Sequence, residues 1–237
     1  MDIEQIVREA VEQVLKKKEK DTGSYTLSQP LSYPEEKAVL VDHPLDYGTI
    51  AKAQMKTPAR IGIGRTGTRM KTRSHLDFRL DHAAAQDAVR KEVSEAFLED
   101  LGAPVLQTQA RSLDHYLMDL DAGRVLDDES IRWLREHGDK GKQVQIIISD
   151  GLSITGIEEN IPNLLPSLEQ GLRMKGITMG KPLFIKRSRV WVQDHVALLL
   201  DCMLVVSLIG ERPGLATSKS VSAYMIYRPS EDSVEAD

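Results

Sequence analysis

The chain has one cysteine, Cys202, in 237 residues. No intrachain disulfide can form, and a reducing compartment such as the cytoplasm fits that usage. Cys202 adjoins the apolar run Met203-Leu-Val-Val206, where a free thiol packs as a small hydrophobe. No apolar run approaches the roughly 20 residues of a membrane span. The longest, around Val196 to Ile209, is broken by Asp201. The opening segment Met1 to Lys20 is charged throughout and holds no apolar signal core, so no secretory leader is read there. A net charge of −5 makes no general case for nucleic acid. There is no metal-ligand spacing, no readable nucleophile–base pair and no internal repeat, so no catalytic residue and no metal ligand is assigned.

What is present is the composition of a soluble globular protein, 41% hydrophobic and 28% charged. The length allows one large or two small domains. Residues 1–20 have helical periodicity: Ile3, Ile6, Val7, Ala10, Val11, Val14 and Leu15 recur at three- and four-residue steps. Lys16, Lys17, Lys18 and Lys20 crowd the end, where cations suit the helix dipole. Residues 21–46 carry Pro30, Pro34 and Pro44 without a sustained period and read as a linker. The stripe of this helix either docks on its own body or binds another surface. Acids mixed with bases, and no aromatics, argue against a membrane surface.

Residues 47–138 read as a mainly helical domain. Asp81 is the expected N-cap of a helix that buries Ala84, Ala85, Ala88, Val89, Val93, Phe97 and Leu101 and stops at Gly102. Asp127-Asp-Glu-Ser130 starts another helix. From residue 139 the pattern becomes α/β. Val144-Gln-Ile-Ile-Ile-Ser149 and Met203-Leu-Val-Val-Ser-Leu-Ile209 are too continuously apolar to have one wet face, as in buried parallel strands. Strands alternate with helices up to Val221–Tyr227, which predicts a Rossmann-like parallel sheet over residues 139–237. In such sheets ligands sit beyond the carboxyl ends of the strands. Ser149, Asp150, Gly151, Ser153, Gly210, Glu211 and Arg212 fall there.

Gly62-Ile-Gly-Arg-Thr-Gly67 matches the dinucleotide fingerprint in letters but lacks the strand before and the helix after. Arg60, Arg65, Arg69, Lys71, Arg73 and Arg79 around it either grip anionic groups or form a solvated basic segment. Asp150 and Ser153 suit turn and helix-cap roles, with ligand contact the second reading. Glu211 offers a carboxylate either to amide or hydroxyl donors or to Arg212.

Five ordered segments carry a family resemblance: Gly64-Arg-Thr-Gly-Thr-Arg69, Leu80-Asp-His-Ala-Ala-Ala-Gln-Asp-Ala-Val89, Ile148-Ser-Asp-Gly-Leu-Ser153, Gly210-Glu-Arg-Pro-Gly-Leu215 and Ser220-Val-Ser-Ala-Tyr-Met-Ile-Tyr-Arg-Pro229. They resemble the light chain of ethanolamine ammonia-lyase over roughly residues 47 to 237. That enzyme uses adenosylcobalamin to convert ethanolamine to acetaldehyde and ammonia, with the substrate pocket on a heavy chain. The resemblance implies a hetero-oligomer, inactive as a lone light chain, with cobalamin contacts at Glu211 and Val190. It also makes the basic segment a candidate heavy-chain contact, and residues 1–20 a tail for a bacterial microcompartment shell. No D-x-H-x-x-G motif occurs, because Asp42-His43, Asp81-His82, Asp114-His115 and Asp194-His195 are adjacent pairs. The resemblance likewise implies that a bound cobalamin keeps its own benzimidazole on cobalt. Family light chains continue past the match to Val234-Glu-Ala-Asp237 into a stretch with another cobalamin contact, so the resemblance covers part of the cofactor site. A rival reading is a non-catalytic scaffold or cargo adaptor derived from such a light chain.

Overall fold

A computed structural model describes residues 38–230 and residue 233. The helix expected over residues 1–20, and the linker up to residue 37, lie outside the described residues.

Two continuously apolar segments, residues 144–149 and 204–210, set the centre of the molecule. β4 (Val144–Ser149) is buried at every position, and β6 (Leu204–Gly210) at all but its first. They pair in parallel from Val144–Leu204 to Ser149–Ile209. β5 (Leu183–Lys186) pairs in parallel with β4 on its other side. β3 (Val105–Gln107) adds a parallel strand outside β5. β7 (Val221–Tyr227) closes the opposite edge, antiparallel to β6. The order is thus β3-β5-β4-β6-β7.

Two features differ from the sequence expectation. The sheet is mixed rather than wholly parallel. Residues 211–220 hold no helix, and a parallel return needs a crossover of about a dozen residues or more. The connection into β7 therefore turns back antiparallel. In addition, β3 comes from a stretch that reads as helical, and it joins the sheet.

Helices cover both faces. The step from β4 to β5 moves toward β3, and the step from β5 to β6 moves back past β4. Right-handed crossovers stepping in opposite directions place their helices on opposite faces. α6 (Ile154–Met174), between β4 and β5, packs Ile157 and Ile161 against Ile146, Ile148 and Phe184. α7 (Val192–Leu200), between β5 and β6, packs Val196 and Leu200 against Ile147, Ile185 and Val205. α5 (Asp128–His137) joins α7 on that face through Leu134, and Asp127 caps it by accepting from the Ser130 N–H at 2.8 Å.

The preceding segment is more loosely attached. α1 (Tyr47–Gln54) leads to the short hairpin β1 (Arg65–Thr66) and β2 (Arg69–Met70). α2 (Thr72–Arg90) then buries only Ser74 and Ala88. Asp81 lies in the middle of α2, paired with Arg60, so it is not the N-cap expected. Ala84 is exposed and Ala85 half-buried. The chain breaks at Lys91 and restarts as α3 (Glu95–Leu101), capped by Ser94 and ended by Gly102 in the left-handed region. Glu158 of α6 holds the break: its carboxylate pairs with Lys91 and accepts from the Ser94 N–H at 3.0 Å. Phe97, Leu98 and Leu101 then pack on the α6 face. α4 (Leu113–Met118) buries Tyr116. No helix among the described residues is long and apolar enough to cross a membrane.

Candidate functional site at the carboxyl ends of the strands

β3, β5, β4 and β6 all end on one side of the sheet, and their next residues are polar. The crevice between β4 and β6 is filled by the protein itself. The Leu152 N–H donates to the Gly210 carbonyl at 2.8 Å. A Cβ on Gly151 would lie 2.3 Å from that oxygen, and one on Gly210 would lie 2.2 Å from the Ser153 carbonyl. Gly151 also has φ +53, in the left-handed region that favours glycine. The two glycines let the loops close on each other, and open space is displaced toward β5.

That space is a cleft of about 50 Å³. Asp150, Gly151 and Leu152 form one wall, with Lys186, Arg187 and Tyr116 beside them. Ala88 to Val93, around the end of α2, close it from above. Asp150 is the central acid. Its Oδ1 accepts from the Arg187 N–H at 2.7 Å, the Gly151 N–H at 2.9 Å and the Ser149 hydroxyl at 3.2 Å. Burial pushes the carboxyl up to about 6, against those three donors and the Arg187 charge. Part of its surface still opens on the cleft.

Arg187 sits at φ +55, an unfavourable conformation for a residue with a Cβ. It is held from every side. Its N–H meets Asp150, its carbonyl accepts from Thr108 Oγ1 at 2.9 Å, and its guanidinium meets Glu92 at 2.9 Å. Tyr116 donates from its hydroxyl to the Ser188 carbonyl at 3.2 Å. The Arg189 guanidinium lies 4.6 Å from the centre of the Tyr116 ring and donates to the Tyr116 carbonyl at 2.7 Å. Burial pushes the Tyr116 hydroxyl up to about 12; the Arg189 charge opposes this, and the charges of Asp150 and Glu211 add to it. The charges of Arg189, Asp150 and Glu211 thus all act on the Tyr116 hydroxyl.

Glu211 follows β6 directly and is half-buried. The Tyr224 hydroxyl donates to its Oε1 at 2.5 Å, and the Arg212 N–H donates to its Oε2 at 3.3 Å. Tyr224 first, and then Ser222 and the Arg212 amide, hold this carboxyl below its ordinary value against partial burial. Arg212 thus meets Glu211 through its amide, and no Glu211 ion pair is present among the described residues. Val190 is half-buried in the turn between β5 and α7, where its carbonyl accepts from the Gln193 N–H at 3.1 Å.

Other candidates fall outside this cluster. Ser153 is fully buried; its hydroxyl accepts from the Gly156 N–H at 3.1 Å and donates to the Ser218 carbonyl at 2.5 Å, a helix-cap role. The Gly62–Gly67 stretch builds the β1–β2 hairpin instead of a strand–loop–helix. Around it, Arg60 pairs with Asp81 and Lys71 with Asp42, while Arg65 bonds the Thr68 carbonyl at 3.2 Å. His82 is exposed beside Phe78, and His115 lies 3.4 Å from Asp119. Cys202 is buried, and burial pushes its thiol up to about 11, so it is unreactive. Sequence reasoning missed Tyr116, Arg187 and Tyr224. Arg187 was within reach of the strand-end rule once Leu183–Lys186 was read as a strand. Tyr116 and Tyr224 act through partners distant in sequence and carry no local signal.

Known proteins resemble this chain over most of its length. The family model for ethanolamine ammonia-lyase light chain (EutC) matches residues 48–237. The ethanolamine ammonia-lyase small subunit of Clostridioides difficile (strain 630) is 42% identical over 193 residues, 81% of this chain and 66% of that protein. That of Clostridium tetani (strain Massachusetts / E88) is 45% identical over 190 residues, 80% of this chain and 64% of that protein. That of Listeria monocytogenes serovar 1/2a is 40% identical over 200 residues, 84% of this chain and 68% of that protein. The chain thus spans about two thirds of the length of the curated relatives it matches.

Proposed function

The chain belongs to the ethanolamine ammonia-lyase light chain family, and on that premise we propose that it is a subunit of an adenosylcobalamin-dependent lyase. With a heavy chain, that enzyme converts ethanolamine to acetaldehyde and ammonia. The light chain's part is to hold the cofactor against the heavy chain, using a Rossmann-like sheet as the platform. The bound group supplies the radical chemistry, and the protein supplies binding and orientation.

The donor set suits a corrin edge fringed with carboxamides. Glu211 presents a carboxylate fixed by Tyr224 and the Arg212 amide, which accepts amide N–H groups readily. Val190, in the turn after β5 and on the far side of β4 from Glu211, offers apolar contact or its backbone. A cleft of about 50 Å³ is far below the roughly 300 Å³ or more of an enclosed ligand site. Cofactor burial therefore requires a second surface, which we assign to the heavy chain. Residues 1–20 would carry the complex to a bacterial microcompartment shell within the cytoplasm.

The observation that carries this reading is the fixed carboxylate of Glu211 beyond β6, in the segment Gly210-Glu-Arg-Pro-Gly-Leu215. The test is reconstitution. Acetaldehyde should form from ethanolamine and adenosylcobalamin only when this chain and its cognate heavy chain are mixed. A mixture that assembles but never turns over would favour the non-catalytic scaffold instead. Turnover by this chain alone would contradict the division of labour.

A further inference from the structure

Every hydrogen bond to the Asp150 carboxyl lands on Oδ1. Oδ2 takes none among the described residues, and it is not one of the buried atoms sealed without a partner. Asp150 lines the cleft, so this oxygen is its open acceptor. The rest of the lining limits what can sit there. Ala88, Val89, Val93, Leu113, Leu152 and Ile154 line part of it, while polar atoms supply most of its surface. Lys91 and Arg187 are already paired, with Glu158 and Glu92, while Lys186 adds another cation at the wall. These cations disfavour a cationic guest, and the Asp150 carboxylate disfavours an anionic one. What remains is a small neutral group that donates a hydrogen bond and has an apolar stem. About 50 Å³ has room for the end of one side arm, not for a ring system.

We propose that the Asp150 cleft is a subsite for one primary carboxamide arm of the corrin edge, its N–H donated to Asp150 Oδ2. This rests on the cobalamin reading above. The strained Arg187 serves the subsite indirectly: its N–H on Oδ1 fixes the carboxyl and leaves Oδ2 free for the guest. Gly151 lets the wall of the cleft close against the β6 end, because a Cβ there would meet the Gly210 carbonyl. The groups facing the carboxyl are the Arg187 and Lys186 cations of the β5 end, Tyr116 of α4, Lys91 and Glu92 beyond α2, and Ser149 on its own strand.

The test uses this full chain assembled with its cognate heavy chain. In Asp150→Asn the amide oxygen can keep the bonds made to Oδ1, but Oδ2 becomes an NH2 donor that opposes the guest N–H. Adenosylcobalamin should bind roughly 10- to 100-fold more weakly, as for loss of a hydrogen bond to a charged group. Wild-type affinity should also fall from pH 7 to pH 5, and that dependence should vanish in the variant. A second probe is a set of adenosylcobalamin derivatives, each with one carboxamide hydrolysed to carboxylate. One of them should bind wild type poorly at pH 7, and Asp150→Asn should restore it, because the new NH2 suits a carboxylate arm. If wild type binds adenosylcobalamin but the variant matches it at every pH, or no derivative is rescued, the subsite is refuted. If the variant does not assemble, the derivatives on wild type decide: none with an extra loss between pH 5 and pH 7 refutes the subsite. If wild type itself binds no adenosylcobalamin, the cobalamin reading fails, and the subsite with it.

Discussion

Tyr224 of β7 donates its hydroxyl to Oε1 of Glu211 at 2.5 Å, across the edge of the sheet. The register pairs Tyr224 with Ser207 of β6, so its side chain reaches along the sheet to the strand end. Tyr224 is 36% exposed, and its removal leaves little of the core unfilled. The contact serves to hold a charge in place.

Replacing Tyr224 by Phe should therefore spare the fold and weaken cobalamin binding by the assembled complex. A single hydrogen bond contributes about 1 kcal/mol, or roughly fivefold in affinity. The pH dependence has a defined sign. Tyr224 is the largest influence holding the Glu211 carboxyl low, so its loss lets protonation begin at higher pH. Binding by the variant should fade earlier on acidification than binding by wild type. Superimposable pH profiles would show that Tyr224 does not support Glu211.

Asp150 should cost stability. Burial raises its carboxyl from the ordinary 3.8 to about 6, so the folded chain holds the proton more tightly than the unfolded one. Stability from this group is full below about pH 4 and is lost as pH rises to about 6. Asp150→Asn should match wild type at pH 4 and exceed it above pH 6, by up to about 3 kcal/mol. Urea unfolding at several pH values measures this. Equal stability at pH 7 would mean that the carboxylate carries no such penalty.

Much of this frame is readable in the sequence, for identifiable reasons. β4 and β6 are central strands buried on both faces, so their runs are continuously apolar. α5 announces itself by its Asp127 cap. β3 escapes because Val105-Leu-Gln107 is too short for a period to register. The break between α2 and α3 escapes because Glu158, which holds it, lies 67 residues from Lys91. The direction of β7 is written in the length of its loop and not in its own residues. At the site, the strand-end rule reaches Asp150, and family resemblance singles out Glu211 and Val190. Tyr116 stays hidden because its partner Ser188 is 72 residues away, and Arg187 because the segment Leu183–Lys186 is too short to read as a strand whose end it marks.

Gly210→Ala should be severely destabilising. Its new Cβ would lie 2.2 Å from the Ser153 carbonyl and 2.4 Å from the Asp150 carbonyl, both backbone atoms. The β4 and β6 loops would have to part, at a cost of roughly 2–4 kcal/mol. Chemical denaturation of the purified variant checks this. A loss below about 0.5 kcal/mol, the size of an ordinary surface change, would show that the loops are not tightly closed.

Removing residues 1–20 should leave cobalamin-dependent turnover with the heavy chain nearly unchanged and abolish entry into a microcompartment shell. A helix of about fifteen residues is marginal alone in water and gains order from a complementary groove. Replacing Ile6 and Val14 by Glu should reproduce the deletion. Fluorescent fusions in shell-producing cells report the outcome, and entry of the truncated chain without its heavy chain would remove the tail as the address.

The central claim, that the strand-end carboxylate holds cobalamin at the junction with the heavy chain, is tested most directly by equilibrium titration of adenosylcobalamin into the assembled complex. Wild type and Glu211→Ala should be compared under identical conditions. Loss of a hydrogen-bonded charged acceptor costs about 1.5–3 kcal/mol, so the variant should bind roughly 10- to 100-fold more weakly while assembling normally. Unchanged affinity in a well-assembled Glu211→Ala complex would contradict the assignment.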